Sequence, residues 1–182
     1  GTRHISELRL SLRVQPKGIL GGWRKPQTVH LDIIDYPGEW LLDLRLMERS
    51  YDEWSAEVLE RMPGRPGAEG YLAALAATDL GASLNEQTAQ GLAAAYTAHL
   101  HEAREAGWSD CTPGRFLLPG EMAGSPALTF APLPPFDGKS PLRREFARRY
   151  EAYKSRIVKP FFRDHFARID RQVVLVDVLG AI

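Results

Sequence analysis

Residues 30–44 read HLDIIDYPGEWLLDL, an apolar run that ends at Asp35 and continues at once into a Pro-Gly turn. Two interpretations of this stretch are open. A carboxylate at the mouth of a buried strand, with Gly38 three residues on, is typical of a nucleotide switch, because the carboxylate can hold a Mg²⁺-bound water and the glycine amide can approach a phosphate closely. The same residues also describe a strand that ends in a turn, and the pattern alone favours neither.

The region before Asp35 has the pattern of two β-strands. Residues 7–14, ELRLSLRV, alternate apolar and polar side chains, which predicts a half-buried strand. Residues 28–35, TVHLDIID, predict a second strand, and the short connection between the two predicts an antiparallel hairpin. Because Ile33 and Ile34 point to opposite faces, we expect the end of the second strand to be buried on both faces.

Helical patterns follow the turn, at residues 49–62, 68–80 and 85–107. Many prolines and glycines in residues 108–138 predict a long irregular loop, of a kind that is often functional or mobile. A long helix is expected to begin at Ser140-Pro141, since serine is a favoured cap and proline a favoured first-turn residue. Pro160 is expected to kink or break that helix.

The end of the chain completes the predicted fold. Residues 171–179, RQVVLVDVL, are almost wholly apolar and β-branched, which predicts a buried, parallel strand. The order strand, strand, helices, strand predicts an α/β layered domain with a helical insertion. We place the hairpin and switch in residues 1–48, the helical insertion in 49–168 and the return strand in 169–182.

Composition limits the classes of function. The 182 residues suffice for one domain with a sizeable core, and 44% hydrophobic and 25% charged residues are ordinary for a soluble protein. The net charge of zero gives no reason to expect nucleic acid as a partner. A single cysteine excludes a disulfide within the chain and a cysteine-rich zinc site, and suits a reducing compartment. No apolar run approaches the roughly 20 residues that span a bilayer.

Several stretches closely resemble the bacterial YcjX-like family: LRLSLRVQPKG, DIIDYPGEWLLDL, PGRFLLPGEMAGSPAL and IVKPFFRDHFARIDRQVVLVDVL. The resemblance runs from the first residues to the last, and the DYPGEWLLDL block is its most specific part. It implies a P-loop NTPase fold, whose sheet contains the hairpin and the parallel strand, and binding of GTP or GDP with Mg²⁺. It also implies a stress-associated, cytoplasmic protein that acts near the inner membrane.

The resemblance assigns roles to particular residues. Asp35 and Gly38 match the D-x-x-G switch element, with Asp35 holding Mg²⁺ through water and Gly38 contacting a phosphate. Thr2 stands where switch proteins place a threonine that ligates Mg²⁺, and an ordinary polar residue is the alternative. Glu39 stands where many GTPases place a water-orienting glutamine. A carboxylate there accepts a proton but repels a phosphate, so an arginine from elsewhere is the alternative source of catalysis.

The resemblance also implies parts outside this chain. The family's G-x-x-x-x-G-K-[ST] phosphate loop is expected before residue 1, and its T-K-x-D guanine-reading element after Ile182. We therefore expect GTP hydrolysis from the whole protein and little nucleotide binding by this chain alone. Residues 137–141, DGKSP, contain the tail of a phosphate loop, but Leu133 stands where the earlier glycine is required, and we assign no role to them.

Four further residues attract attention but have ordinary explanations. His99 and His101 are two residues apart on a predicted helix and do not share a face, so we expect solvent exposure rather than a metal pair. Asp32 lies within a strand, where a satisfied hydrogen bond is expected. Asp177 ends the last strand, where it either lies near a nucleotide or has a capping role.

The basic segment 141–168 suggests a different function. Its arginines at positions 143, 144, 148 and 149 lie opposite the aromatic stripe, which predicts a solvated helix face. The alternative is a docking face for an anionic membrane or a protein partner. The chain would then belong to a nucleotide-responsive scaffold with negligible hydrolysis.

Overall fold

The computed structural model describes residues 5–15 and 26–173, and an antiparallel hairpin opens the fold. Strand β1 spans Ser6–Val14 and strand β2 spans Gln27–Asp35, with a register that pairs Ser6 with Asp35 and Val14 with Gln27. This register places the apolar side chains of both strands on one face. The predicted hairpin and the α/β class are confirmed. Most of the predicted return strand, residues 174–182, lies outside the described residues.

The faces of the hairpin are open among the described residues. Ile33 and Ile34 are 46% and 37% exposed, so the expectation that the end of β2 is buried on both faces is wrong for the part of the chain described here. The physical reason is that no layer of described residues covers either face of the two-stranded sheet. On the polar face, Asp32 accepts hydrogen bonds from Arg9 Nε and Nη2 at 2.5 and 2.7 Å, which confirms its predicted satisfied role.

Helices make up most of the remaining structure. A short helix, α1, follows the hairpin and runs directly into a 3-10 helix at Asp43–Glu48. The α-helices are α1 Gly38–Leu42, α2 Tyr51–Arg61, α3 Ala68–Ala76, α4 Glu86–Glu105, α5 Gly114–Leu117, α6 Pro141–Tyr153 and α7 Lys159–Asp164. Further 3-10 turns lie at Gly120–Met122, Pro126–Leu128 and Phe166–Arg168. No helix in the described ranges is long and apolar enough to cross a membrane.

The predicted long helix from Ser140 is interrupted before its proline. Ser140 caps α6 by accepting a hydrogen bond from the Arg143 amide, as expected. Regular α-helix ends at Tyr153, and a π-helical turn at Lys154–Val158 leads into α7, where Pro160 lies in the first turn. A proline has no N–H, and its ring clashes with the carbonyl four residues earlier. Regular α-helical hydrogen bonds therefore cannot continue through the turn that precedes Pro160. The expected break is therefore confirmed.

Helix α2 begins with a capping box. The Ser50 hydroxyl accepts from the Glu53 amide at 3.2 Å, and the Glu53 carboxylate accepts from the Ser50 amide at 2.8 Å. Two backbone donors that lack partners within the helix are thereby satisfied.

We predict that Ser50→Ala lowers the free energy of unfolding by about 1 kcal/mol, because it removes one half of this capping box. Urea unfolding followed by circular dichroism measures the change. Ser83→Ala, which alters an exposed loop serine, is the control and is expected to be neutral. Equal stability of the Ser50 variant and the control would contradict the prediction.

An aromatic core holds the helices together. Trp54 of α2 stacks on Tyr150 of α6 with ring centroids 5.2 Å apart, and Phe130 meets both rings edge-on. Phe130 comes from the predicted irregular loop, and it is fully buried. The loop backbone is also fixed, since the Tyr51 hydroxyl donates to the Ala131 carbonyl at 2.8 Å. The predicted irregular loop therefore contains the short helix α5 and two 3-10 turns, and it is part of the core.

His99 is buried, which contradicts the expectation of solvent exposure. It is 3% exposed, and its Nδ1 lies 2.8 Å from the Pro66 carbonyl oxygen. The reason is a close approach of α4 to the turn before α3: a Cβ on Gly67, which has φ +72°, would lie 2.9 Å from the His99 Cα. Burial lowers the pKa of His99, so the neutral ring is favoured. His101 is exposed, as expected.

Candidate functional site

The predicted switch residues meet at the junction of β2 and α1. Asp35 is the last residue of β2 and is exposed, and Gly38 is the first residue of α1. A Cβ on Gly38 would meet nothing within 4 Å, so the space beside this glycine is open. The structure therefore has a carboxylate and an accessible glycine backbone at one strand-to-helix turn. Open space of this kind permits a phosphate to approach the backbone.

Tyr36 and Trp40 anchor the two sides of this junction to α7. The Tyr36 ring meets the Phe161 ring edge-on at 5.4 Å, and the Trp40 ring meets it at 5.9 Å. Trp40 is buried, donates from Nε1 to the Leu118 carbonyl at 2.9 Å, and lies under the Arg115 guanidinium, which is 3.2 Å from the ring centroid. The residues around Gly38 are thus held by the helical region.

The position of Glu39 is set by two neighbours. Its carboxylate accepts from Arg104 of α4, with Oε1 3.1 Å from Nη2 and 3.3 Å from Nε. Its backbone carbonyl lies against Gly114 so closely that a Cβ on Gly114 would be 1.8 Å from the oxygen. The predicted water-orienting carboxylate is therefore engaged in an ion pair with α4 in this structure.

Asp43 is a site residue that the sequence interpretation missed. It is 2% exposed and accepts from the Gly114 amide at 2.7 Å, the Arg115 amide at 3.3 Å and the Tyr153 hydroxyl at 2.5 Å. Burial raises the pKa of this carboxyl to about 6, against the opposing effect of its hydrogen bonds. The sequence did contain a signal for its burial, because Asp43 lies three residues from both Trp40 and Leu46, as a residue on the same helical face would. The structure buries all three.

Two of the residues predicted to lie near a metal ion or nucleotide fall outside the part of the chain that the structure describes, and Asp35 falls inside it. Thr2 and Asp177 lie outside the described residues. Within the described ranges no three His, Cys, Asp or Glu residues are grouped to hold a metal ion. Mg²⁺ keeps several waters and commonly takes only one or two carboxylates together with substrate phosphates. The exposed carboxylate of Asp35 at the end of a strand fits a ligand of that kind.

The basic segment is mostly paired within the chain. Arg143 contacts Asp52 at 2.8 Å, and Arg148 contacts Glu145 at 2.6 Å. Arg149 is 7% exposed and binds Glu86 of α4 and Glu145 of its own helix, so a solvated face is wrong for this residue. The physical reason is that Arg149 reaches Glu86, the first residue of α4, whose carboxylate supplies the opposite charge 2.5 Å away.

Comparisons with known proteins give a consistent result. A family model described as YcjX-like family, DUF463, matches residues 1–182. A protein of Shewanella oneidensis named Ras-like GTPase YcjX is 40% identical over 196 residues, which cover 100% of this chain and 40% of that protein. A protein of the same name from Escherichia coli is 39% identical over 191 residues, covering 98% of this chain and 41% of that protein. The chain thus spans about 40% of the length of the curated relatives it matches.

Proposed function

The chain belongs to the YcjX-like family, and from that premise we propose that it supplies the switch segment of a Mg²⁺-dependent GTPase with a P-loop NTPase fold. The observation that carries the proposal is the β2–α1 junction, where the exposed Asp35 carboxylate and the open backbone of Gly38 lie at one turn. The names of the two relatives, both Ras-like GTPases, support the same class.

The proposed roles follow from the chemistry of phosphoryl transfer. Asp35 would hold Mg²⁺ through a water molecule, and the Gly38 amide would contact the terminal phosphate of GTP. Mg²⁺ supplies the positive charge that stabilises the transferring phosphoryl group, and catalysis is mainly positioning and electrostatics. Glu39 is held by Arg104 in this structure, and it would have to leave that ion pair before it could orient a water.

The rest of the nucleotide site is proposed to lie outside this chain. A phosphate loop and a guanine-reading element complete the site in the whole protein, and Thr2 is a candidate second ligand of Mg²⁺. Hydrolysis of GTP to GDP, the role in stress and the cytoplasmic location all belong to that whole protein as predictions. The chain by itself is expected to bind nucleotide weakly.

The helical region is proposed to respond to the state of the switch. Gly114 lies against the Glu39 backbone, and its amide donates to Asp43, which also accepts from Tyr153 of α6. A movement of Gly38 on loss of the terminal phosphate would disturb these contacts. Because the backbone atoms of Gly114 and Glu39 are packed without free space, a displacement of Glu39 is transmitted directly to Gly114.

The scaffold alternative receives less support from the structure. Docking through segment 141–168 on an anionic membrane or a protein partner requires free positive charge, but Arg143, Arg148 and Arg149 are paired with carboxylates of this chain. A turnover assay on the full-length protein separates the proposals, since negligible GTP hydrolysis favours the scaffold.

We predict that Asp35→Ala in the full-length protein weakens Mg²⁺–GTP binding or lowers turnover by about tenfold or more, equivalent to about 1.4 kcal/mol. The loss of the carboxylate removes the anchor for a Mg²⁺-bound water. Fluorescent-nucleotide titration and phosphate release measure the two quantities. Asp137→Ala, at an exposed carboxylate outside the junction, is the matched control. Unchanged binding and hydrolysis in the Asp35 variant would overturn the assignment.

A further inference from the structure

A second possible binding site is a cleft between the 3-10 helix at Asp43–Glu48, α2 and α4. Its volume is about 70 Å³, and its lining does not include Asp35, Gly38 or Glu39. Leu46 and Trp54 contribute apolar surface to its walls. The cleft is therefore separate from the proposed switch residues.

The lining of the cleft carries an excess of positive charge. It contains four arginines and two carboxylates: Arg45, Arg49, Arg61, Arg65, Glu57 and Asp110. Two of the arginines are neutralised, since Arg49 contacts Glu57 at 2.9 Å and Arg65 contacts Asp110 at 2.8 Å. Arg45 and Arg61 form no ion pair with any residue in the described ranges. Two positive charges are left for a ligand.

Arg61 lies close to the paired residues of this cleft. Hydrogen bonding from Arg65 is the largest cause that lowers the pKa of Asp110, and the charge of Arg61 lowers it further. Arg61 is thus within electrostatic range of the same carboxylate. Arg61, Arg65 and Asp110 therefore form one charged cluster at the cleft, and its net charge is positive.

Arg65, beside the cleft, is held by the protein itself. The guanidinium of Arg65 donates to Asp110 from Nη1 and Nη2, and it stacks over the Trp108 ring at 4.3 Å. Its Nε is buried and has no hydrogen-bond partner within the described part of the chain. A buried donor left in this state costs about 1–3 kcal/mol. The Nε has almost no accessible surface, so an acceptor in the cleft does not reach it, and the charge left for a ligand is that of Arg45 and Arg61.

The size and charge of the cleft define the ligand. A water-sized atom requires roughly 10–15 Å³, so 70 Å³ accommodates roughly five to seven such atoms, which matches the five heavy atoms of a phosphate. Guanidinium groups bind phosphate oxygens through paired N–H donors. We propose that this cleft binds the phosphoryl group of a small phosphorylated metabolite through Arg45 and Arg61.

Phosphate titration of the full-length protein tests the proposal, with GDP and Mg²⁺ in excess so that the nucleotide site is filled. Arg45 and Arg61 are exposed, so the double variant Arg45→Ala/Arg61→Ala is expected to fold. Inorganic phosphate, followed by isothermal calorimetry, should bind the double variant about tenfold more weakly or worse, as expected for the loss of charged hydrogen bonds. Arg13→Ala, at an exposed arginine on β1, is the control and should bind as the wild type does.

Three results would overturn the proposal. They are no phosphate binding by the wild type, equal binding by the double variant, and an equal loss in the Arg13 control. Sedimentation with phosphatidylglycerol vesicles that depends on Arg45 and Arg61 would assign the cleft to a lipid headgroup and would also overturn it. Asp35→Ala should still bind phosphate here, so failure of this proposal is distinct from failure of the GTPase assignment.

Discussion

Gly114→Ala is expected to lower the free energy of unfolding by about 3 kcal/mol or more and to displace α1. An added Cβ would lie 1.8 Å from the Glu39 carbonyl oxygen and 2.4 Å from its carbonyl carbon. No rotation of a side chain relieves this contact, because the opposing atoms belong to the backbone. Either α1 or α5 must move.

Movement at this point disturbs other contacts. The Gly114 amide donates to the buried Asp43 carboxylate at 2.7 Å, and the next residue, Arg115, covers the Trp40 ring. A shift of α5 would lengthen that hydrogen bond and uncover the tryptophan. The cost therefore exceeds that of a simple steric overlap, and the Asp35–Gly38 junction would be displaced with α1.

Chemical unfolding of the full-length protein measures the loss of stability, and Gly91→Ala is the matched control. Gly91 lies inside α4, and a Cβ there would meet nothing within 4 Å. That change is expected to stabilise the protein by about 0.5–1 kcal/mol, because alanine favours helix over glycine. Similar stabilities of the two variants would show that α1 and α5 are not tightly packed.

Local sequence signals predicted the elements of the fold well. The alternation in β1 and β2 predicted the hairpin, and Ser140 caps α6 through its side chain, as its position before Pro141 predicted. These signals are local, because a cap or a strand period depends only on residues a few positions apart.

Contacts between distant residues were not predictable in the same way. His99 is buried because α4 approaches Gly67, 32 positions earlier. The predicted loop enters the core through Phe130, although its proline and glycine content indicated only irregular structure. Likewise, Asp35 and Gly38 follow from a short motif, but the contacts that hold the junction come from Leu118, Phe161 and Gly114. No sequence period relates these positions.

The second large effect is expected at Asp43. Asp43→Ala leaves three donors without their acceptor: the Gly114 and Arg115 amides and the Tyr153 hydroxyl. An unsatisfied buried donor costs about 1–3 kcal/mol, and partial relaxation makes such costs less than additive, so we expect a loss of about 3–5 kcal/mol. Urea unfolding of the full-length protein provides the measurement.

Asp43→Asn is expected to cost less, about 1–2 kcal/mol. One amide oxygen can still accept from Gly114, and the Tyr153 hydroxyl can turn to accept from the new NH₂ group, so only the longer bond from Arg115 is lost. Asp137→Asn, at an exposed carboxylate, is the control. Equal destabilisation by alanine and asparagine would contradict the hydrogen-bonding role.

The Asn variant also isolates the titration of Asp43. Burial raises the pKa of this carboxyl to about 6 in the folded protein, whereas an unfolded aspartate has a pKa of about 3.9. Between these values the folded state binds more protons than the unfolded state, so the stability that protonated Asp43 contributes is full below about pH 4 and is lost as the pH rises through about 6. The stability of the wild type relative to Asp43→Asn should therefore fall by about 2–3 kcal/mol over that range and stay level above it. Parallel curves for the two proteins would show that Asp43 ionises normally in the fold, and its three hydrogen bonds would then offset the whole cost of its burial.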